Sequence, residues 1–599
     1  MISLRSKKIV QHTENFLFSV YVILFLLNLG SFVGFQFTEP DPTVPGLAVR
    51  HRVFDAHLLS PFLDQLLLST ISVFSYLFVL IKLRTNFVIL ALNLVLILIL
   101  ALVIGIHSLS GFGIFALLLM VYKSRRLGFE SPYHYIKSLL IWLFSVALVI
   151  QALSLSAWVG RAFLGDLGFL SKLIDLQWQM MNLFQPLLLF LAVMSLFFWI
   201  PLSLLDRKET EKAPLIKTND REKRSWFKQE TRNRILFLSV ISLAITLSIF
   251  PYLPSINPTE KLIGVDVEAY SSWMEKIENL SGVDEKIGFA LSNGRTLTIL
   301  LLNAIRSIGS FWMAWVIYST VASVLLSLTT FWLVRRTTGS FNLGCLGGVL
   351  ASMSPQFSAS LGGGLYANWL ALSLMILLFG FILKPLKNPF VRFTSLFILS
   401  ALLNLAQEYT WTATLGITIM LVCLGTILKR KDLSLVPQAL SIIAIIAGGM
   451  PVTLLRSTIS YTMPLAGSIG VVSTFSLSNL LFYASNLDFA IKIYIGGAFA
   501  QIPFFLVIGL LFPFLFKRKD ALTILCFAVA IFCSITSLFA NYAMISRLLY
   551  LYPFSLLLIL IIDSLPAIRK DESLLKSLFT LLIVFASINF TLVYLSALP

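Results

Sequence analysis

Charged residues are scarce in this chain, and that scarcity sets its class. Only 12% of the 599 residues are Asp, Glu, Lys or Arg, while 58% are hydrophobic. Soluble domains carry about 25% charged residues, so the composition excludes an ordinary soluble protein. Apolar runs of about 20 residues recur along the chain, each long enough to cross a bilayer as a helix. The sequence therefore predicts an all-α polytopic integral membrane protein.

Cysteine and histidine are too few, or too badly placed, to build their usual sites. The four cysteines lie in apolar runs with no paired spacing in an exposed loop, which excludes a disulfide framework or a cysteine metal site. The last of the five histidines is His134. Acid–base chemistry in the rest of the chain therefore has to use carboxylates, Tyr, Lys or solvent.

Basic residues outnumber acidic ones, giving a formal net charge of +17. They form no aromatic-interleaved patch and instead occur in short clusters between apolar runs. This is the distribution expected of the cytoplasmic loops of a membrane protein. The partners predicted are membrane lipids, and no nucleic acid.

The apolar runs predict about 17 transmembrane helices in two blocks of six and eleven. The first block has helices near 16–36, 62–82, 87–107, 110–122, 136–157 and 184–205. The second has helices near 235–254, 311–334, 341–354, 365–384, 391–408, 411–428, 434–454, 491–516, 521–539, 547–564 and 574–597. The predicted domains are 1–205, of no assigned role, a charged linker 206–234, and a second membrane domain 235–599.

The basic clusters fall on alternate loops, provided that 296–308 is an interfacial helix and not a span. The positive-inside rule then places the N-terminus and the linker in the cytoplasm. The same rule places loop 255–295 on the exterior of the cell membrane.

The exterior loop carries an acidic motif, "GVDVEAYSSWM", at 264–274. Tyr270, Trp273 and Ile277 follow a helical spacing, which puts Asp266 and Glu268 at or just before a helix N-terminus. Carboxylates are stabilised there, so helix capping is one interpretation. A cap accounts for one acid and not for both, which favours a functional interpretation.

The order of five segments, "PYLPSINP", "GVDVEAYSSWM", "GRTLTILLLNAI", "GLYANWLAL" and "SRLLYLYPF", resembles the GT-C superfamily of membrane glycosyltransferases. More narrowly, it is similar to a group of archaeal GT-C-like polytopic proteins. The resemblance covers about 235–599. The W-W-D-x-G signature of the oligosaccharyltransferase branch is absent, so that activity is not implied.

The resemblance implies that Asp266 and Glu268 are catalytic or metal-binding acids. It also implies a polyprenyl-phosphate-type sugar donor entering from the bilayer and an acceptor approaching from outside. Sugar transfer needs a base for the acceptor hydroxyl and positive charge for the leaving phosphate. Asp266 is the first choice for the base. Glu268 positions it, binds the acceptor or shares a divalent cation, Mg²⁺ or Mn²⁺, with it.

Arg547 is the first candidate to bind the leaving phosphate, with Arg295 and Arg456 as alternatives, because arginine grips phosphate oxygens bidentately. The competing interpretation is an interfacial arginine that extends to lipid head groups.

Three further residues complete the predicted substrate-binding set. Glu408 lies at the exterior end of an otherwise uncharged predicted helix. Trp411 offers a ring to a sugar face, although interfacial anchoring also explains such a residue. Tyr270 belongs to the set through its place in the acidic motif.

Three functions are compatible with the pattern: a glycosyltransferase, a transporter or flippase for a lipid or polysaccharide, and a non-catalytic GT-C-like scaffold. Transporters place ionisable residues at broken helices near mid-membrane. Here the spans are nearly free of charge and the acids collect in the predicted exterior loop, which favours an enzyme.

Overall fold

The computed structural model describes 36–40, 48–52, 132–164, 168–170, 226–459, 520–540, 542–564 and 570–596, with isolated positions elsewhere. These residues are helical apart from a short hairpin of two strands, β1 (Gln36–Pro40) and β2 (Ala48–Arg52). The strands are antiparallel, with Gln36 opposite Arg52. The described residues support the predicted helical membrane protein, to which the short pair of strands is a small addition.

The helices are numbered in chain order. The first eight are α1 (Pro132–Leu164), α2 (Trp226–Ile249), α3 (Val267–Glu278), α4 (Val283–Ser292), α5 (Thr296–Arg306), α6 (Phe311–Thr338), α7 (Phe341–Ala351) and α8 (Pro355–Gly362). The others are α9 (Tyr366–Leu383), α10 (Pro389–Ala406), α11 (Glu408–Ile427), α12 (Leu435–Thr458), α13 (Ala521–Ser537), α14 (Tyr542–Leu551), α15 (Phe554–Ser564) and α16 (Lys570–Ser596). A 3₁₀ turn, Phe250–Tyr252, follows α2.

Seven helical segments of the described chain are long and apolar enough to cross a membrane, which supports a helical membrane protein. They are 230–252, 311–338, 366–383, 389–406, 408–427, 435–458 and 573–596. This number does not reach the predicted 17. Six predicted spans, at 16–36, 62–82, 87–107, 110–122, 184–205 and 491–516, lie almost wholly outside the described residues.

Two helix breaks lie in or beside predicted spans. The span predicted at 341–354 agrees with α7 and the turn at Ser352–Ser354, and α8 then begins at Pro355, outside that span. The segment predicted as one helix at 547–564 is α14 and α15, separated at Tyr552–Pro553. Proline has no backbone N–H and its ring clashes with the preceding turn, so Pro355 and Pro553 each start a new helix.

The two helix breaks meet inside the protein. The Gln356 side-chain amide donates a hydrogen bond to the Tyr552 carbonyl. One 11-residue helix separates each break from nearby basic residues: α7 follows Arg335 and Arg336, and α15 precedes Lys570. A helix of 11 residues is about 16 Å long. That distance is about half of a bilayer's hydrocarbon core. Irregular backbone at this depth is tolerated where protein buries it.

Two observations bear on the predicted domain boundary, which stays a prediction. Helix α2 starts at Trp226, so the last part of the predicted linker is helical. Helix α1, from the first predicted domain, packs against α16 at the end of the second. The buried Asn589 side chain donates to the Gln151 carbonyl at 2.9 Å. The structure therefore joins helices from the two predicted blocks in one packed unit.

Three short helices, α3, α4 and α5, fill the connection between α2 and α6. Met274 and Ile277 of α3 are fully buried, as the predicted helical stripe requires. Helix α5 packs against α3, α6 and α10, and its 11 residues are too few for a full crossing. Its interfacial position stays a prediction. This unit carries the acidic motif.

Candidate active site

The acidic loop is held by close backbone packing against the "LGGGL" segment, 361–365. The Asp266 backbone N–H donates to the Gly363 carbonyl at 3.2 Å. Gly264 has φ +122°, and a Cβ atom built there would lie 2.8 Å from the Gly364 Cα. Gly364 itself has φ +67°. The two loops thus approach too closely for side chains, and the glycines fix where the Asp266 carboxylate lies.

Asp266 occupies the N-cap position of α3, but its side chain does not cap the helix. Its backbone is helical, with φ −80° and ψ 0°, and its side chain makes no capping hydrogen bond. The Asp266 Oδ2 atom instead accepts a hydrogen bond from Arg295 Nη1 at 3.2 Å. The carboxylate side chain is 32% exposed. The capping interpretation is therefore wrong for Asp266, whose carboxylate is open to a ligand on one side.

Arg295 is held over two rings of α3. Its guanidinium carbon lies 5.2 Å from the Tyr270 ring centroid and 5.4 Å from that of Trp273. Burial lowers the pKa of Arg295, but the neighbouring Tyr270 and Asp266 outweigh it, so the pKa lies above its ordinary value. Tyr270 is 1% exposed and its hydroxyl accepts from the Ala367 N–H. The structure places Tyr270 as a support for Arg295 and not in the open part of the site.

Glu268 lies in the first turn of α3 and its side chain is exposed. Within the described ranges no hydrogen bond or ion pair fixes it. No group of three or more His, Cys, Asp or Glu side chains converges there either. Mg²⁺ can be held by one or two carboxylates, with water and phosphate oxygens completing its shell. A divalent cation shared by Asp266 and Glu268 therefore stays a prediction, and no chemical step is routed through a metal.

A second acid–arginine pair lies beside the first. Arg456, in the last turn of α12, is 2% exposed, and its Nη1 lies 3.6 Å from Glu408 Oε2. The same Nη1 donates to Asn404 Oδ1 at 3.0 Å, and Nη2 donates to Thr296 Oγ1 at 3.2 Å. Burial and these bonds commit Nη1 and Nη2 to protein partners. The alternative that Arg456 binds the leaving phosphate stays a prediction, and the burial of this side chain disfavours it.

Glu408 is the first residue of α11. The predicted span 391–408 instead had Glu408 as the last residue of the preceding helix. The cause is Gln407, whose extended backbone, φ −162° and ψ 110°, breaks the chain between α10 and α11. The Glu408 side chain is 22% exposed. It therefore faces Arg456 on one side and stays partly open on the other.

Arg547 lies within α14, which begins at Tyr542, five residues before the helix start predicted at 547. Its guanidinium carbon is 5.7 Å from the Tyr409 ring centroid. The buried Nη1 atom has no hydrogen-bond partner, and neither have the Tyr409 hydroxyl and Gln407 Oε1. Buried polar atoms are nearly always hydrogen-bonded. Other buried polar atoms of the described chain also lack a hydrogen-bond partner. The three around the start of α11 are therefore one candidate place for a polar ligand.

Trp411 lies one turn beyond Glu408, but its side chain packs against the neighbouring helices α10 and α12. Its indole N–H donates to Ser400 Oγ at 2.9 Å and its ring packs on Gly449, where no side chain would fit. The structure thus does not bring Trp411 to the predicted ligand site. The sequence analysis did not identify Asn404 and Thr296 as site residues. The one feature that could have indicated them is that each is a polar residue among apolar neighbours.

The contacts form one continuous path across the site. Asp266 pairs with Arg295, and the next residue, Thr296, contacts Arg456, which pairs with Glu408. The following residue, Tyr409, lies under Arg547. Asp266 and Glu408 each have one arginine partner, and Arg547 is a cation with no carboxylate partner among the described residues. The arrangement can take up a proton at a carboxylate and bind an anion at Arg547.

Comparisons of this chain with protein-family models, with curated proteins and with solved structures found no match. The resemblance to the GT-C superfamily therefore stays an expectation. The site geometry is the basis on which a function can be argued.

Proposed function

We propose that this protein is a GT-C-type membrane glycosyltransferase that moves a sugar from a polyprenyl-phosphate-type donor to an acceptor at the exterior face. The proposal includes the full topology of about 17 spans, six plus eleven, in the cell membrane. One observation carries it: Asp266, a partly exposed carboxylate that does not cap its helix, lies on one contact path with Arg547, which has no acidic partner among the described residues.

The proposed reaction uses these residues in distinct roles. The acceptor hydroxyl oxygen attacks the anomeric carbon of the sugar, its proton passes to Asp266, and the bond from that carbon to the phosphate oxygen breaks. The lipid phosphate leaves with the bonding electrons, and Arg547 stabilises the added charge. Arg295 holds the Asp266 carboxylate in place, while the exposed Glu268 binds the acceptor.

A transfer assay tests the proposal directly. Membranes containing the full chain are incubated with a radiolabelled polyprenyl-phosphate sugar, or with a nucleotide sugar, and with membranes of the same host as acceptor. Label is expected to transfer from the lipid-linked donor alone. The Asp266→Asn, Glu268→Gln double variant, at equal protein amount, is expected to transfer at background level. Full activity of that variant would reject the catalytic assignment.

The sidedness of the site is a separate prediction. Single cysteines are introduced at Asp284 and at Asp220 in a chain whose four native cysteines are replaced. A membrane-impermeant maleimide is expected to label position 284 in intact cells and position 220 only after permeabilisation. The reverse pattern would place the acidic loop in the cytoplasm and remove the case for a donor presented at the exterior face.

Transport is the second candidate function, because two broken helices meet at mid-depth, as they do at many transporter substrate sites. The cavity between the breaks, however, measures only about 30 Å³. Its polar lining includes Ser354, Gln356 and Ser555, with no Asp, Glu, Lys or Arg. That volume suits one or two water molecules and not a lipid head group. Movement of a fluorescent lipid-linked sugar across liposomes, unaffected by Asp266→Asn, would favour transport.

A non-catalytic scaffold is the third candidate. The following combination of results would distinguish it from the other two. A scaffold would support growth or assembly in cells equally well with the Asp266→Asn, Glu268→Gln double variant, and would show neither label transfer nor lipid movement.

A further inference from the structure

The start of helix α5 is held from two sides by different charged groups. Its N-cap residue, Arg295, has no side-chain capping bond and an irregular backbone, φ −123° and ψ 39°. Asp266 and the rings of Tyr270 and Trp273 bind the Arg295 guanidinium on one side. On the other side the adjacent residue, Thr296, accepts a hydrogen bond from Arg456. The position of this helix end therefore depends on both contacts.

Arg456 is the group that connects this helix end with the second acid. It comes from the last turn of α12 and reaches three other helices at once. Its guanidinium contacts Thr296 at the start of α5, Asn404 near the end of α10, and Glu408 at the start of α11. A planar guanidinium with five donors can hold all three in fixed relative positions. No other guanidinium of the described chain contacts both α5 and α11.

We propose that Arg456 is a positioning residue which, through Thr296, couples the Asp266 carboxylate energetically to the Glu408 carboxylate. A change at Asp266 shifts Arg295 and the start of α5. That shift alters the Thr296–Arg456 hydrogen bond and with it the Arg456–Glu408 ion pair. The reverse holds as well, because a coupling free energy between two sites is reciprocal.

The coupling has a consequence for the enzyme that rests on the proposed function. A ligand that takes the place of Arg295 at Asp266 would change the environment of Glu408, and so of the neighbouring Tyr409 and Arg547. The acceptor end and the phosphate end of the site would then respond to each other. The coupling itself requires no substrate, so it can be tested apart from activity.

A double-mutant cycle on the purified full chain tests the proposal. Thermal midpoints are measured by tryptophan fluorescence for Asp266→Asn, Glu408→Gln and the double variant. The double variant is expected to lose less than the sum of the two single shifts. In a Thr296→Val background, which keeps the side-chain shape but removes the accepting hydroxyl, the shifts are expected to be additive.

Two further measurements make the test decisive. Arg456→Lys keeps the charge but cannot hold three partners, so it is expected to abolish the non-additivity as well. Asp432, paired with Arg430 in another part of the chain, supplies the control: Asp266→Asn and Asp432→Asn should be additive. Additive shifts for Asp266 and Glu408 in the native background would overturn the proposal. So would non-additivity that survives both Thr296→Val and Arg456→Lys.

Discussion

Asp266→Asn is expected to lower sugar transfer by about 10²–10⁴-fold, the usual cost of losing a general base. Asparagine keeps the size of the side chain and can still accept a hydrogen bond from Arg295, but it cannot take up the acceptor proton. The loop should keep its place, because the Asp266 backbone bond to Gly363 and the glycine contacts do not involve the carboxylate. The measurement is initial transfer rate in membranes with matched amounts of protein.

The control for this variant is Asp284→Asn, the same change at an exposed acid in the first turn of α4. It is expected to leave the rate unchanged, and Glu268→Gln to fall between the two. Arg295 faces an uncharged partner in Asp266→Asn, so a small loss of thermal stability is also expected. A rate equal to the native one for Asp266→Asn would show that this carboxylate is not the base.

The largest effect on stability is expected for Arg456→Met. Methionine fills a similar volume, but the change leaves the Glu408 carboxylate, the Asn404 side chain and the Thr296 hydroxyl without their buried donor. Removing one member of a buried ion pair costs about 3–5 kcal/mol. That is a large part of the free energy of unfolding of a typical protein. Detergent-solubilised Arg456→Met should therefore aggregate or elute broadly in size-exclusion chromatography.

Arg430→Met is the matched control. Arg430 Nη2 lies 2.6 Å from Asp432 Oδ2, a shorter contact than that between Arg456 and Glu408, but its side chain is 30% exposed against 2% for Arg456. Exposed ion pairs contribute about 0–1 kcal/mol, so this variant should elute like the native protein. Equal behaviour of the two variants would mean that burial of Arg456 contributes little to the fold.

The membrane class of the protein, and most helix positions among the described residues, could be predicted from the sequence. Hydrophobic periodicity and run length are local, and a span must satisfy its own backbone within the segment. That is why the predicted spans at 311–334, 365–384 and 434–454 agree with α6, α9 and α12 to within a few residues. The errors came at breaks. Pro553 interrupts a run that hydropathy alone predicts to be one helix, and the extended Gln407 moves Glu408 from the end of one helix to the start of the next.

The candidate site shows the same division between local and long-range information. The sequence by itself identified Asp266 and Glu268, because an acidic pair in a chain so poor in charge is visible without a fold. It could not decide that Asp266 pairs with Arg295 instead of capping α3, since those residues are 29 positions apart. Only the tertiary structure decided that Arg456 is buried among Thr296, Asn404 and Glu408 while Arg547 keeps an unpaired donor. The physical reason is that burial and ion pairing depend on which helices pack together, and an arginine beside a bilayer has the same local sequence whether it binds lipid, substrate or a buried acid.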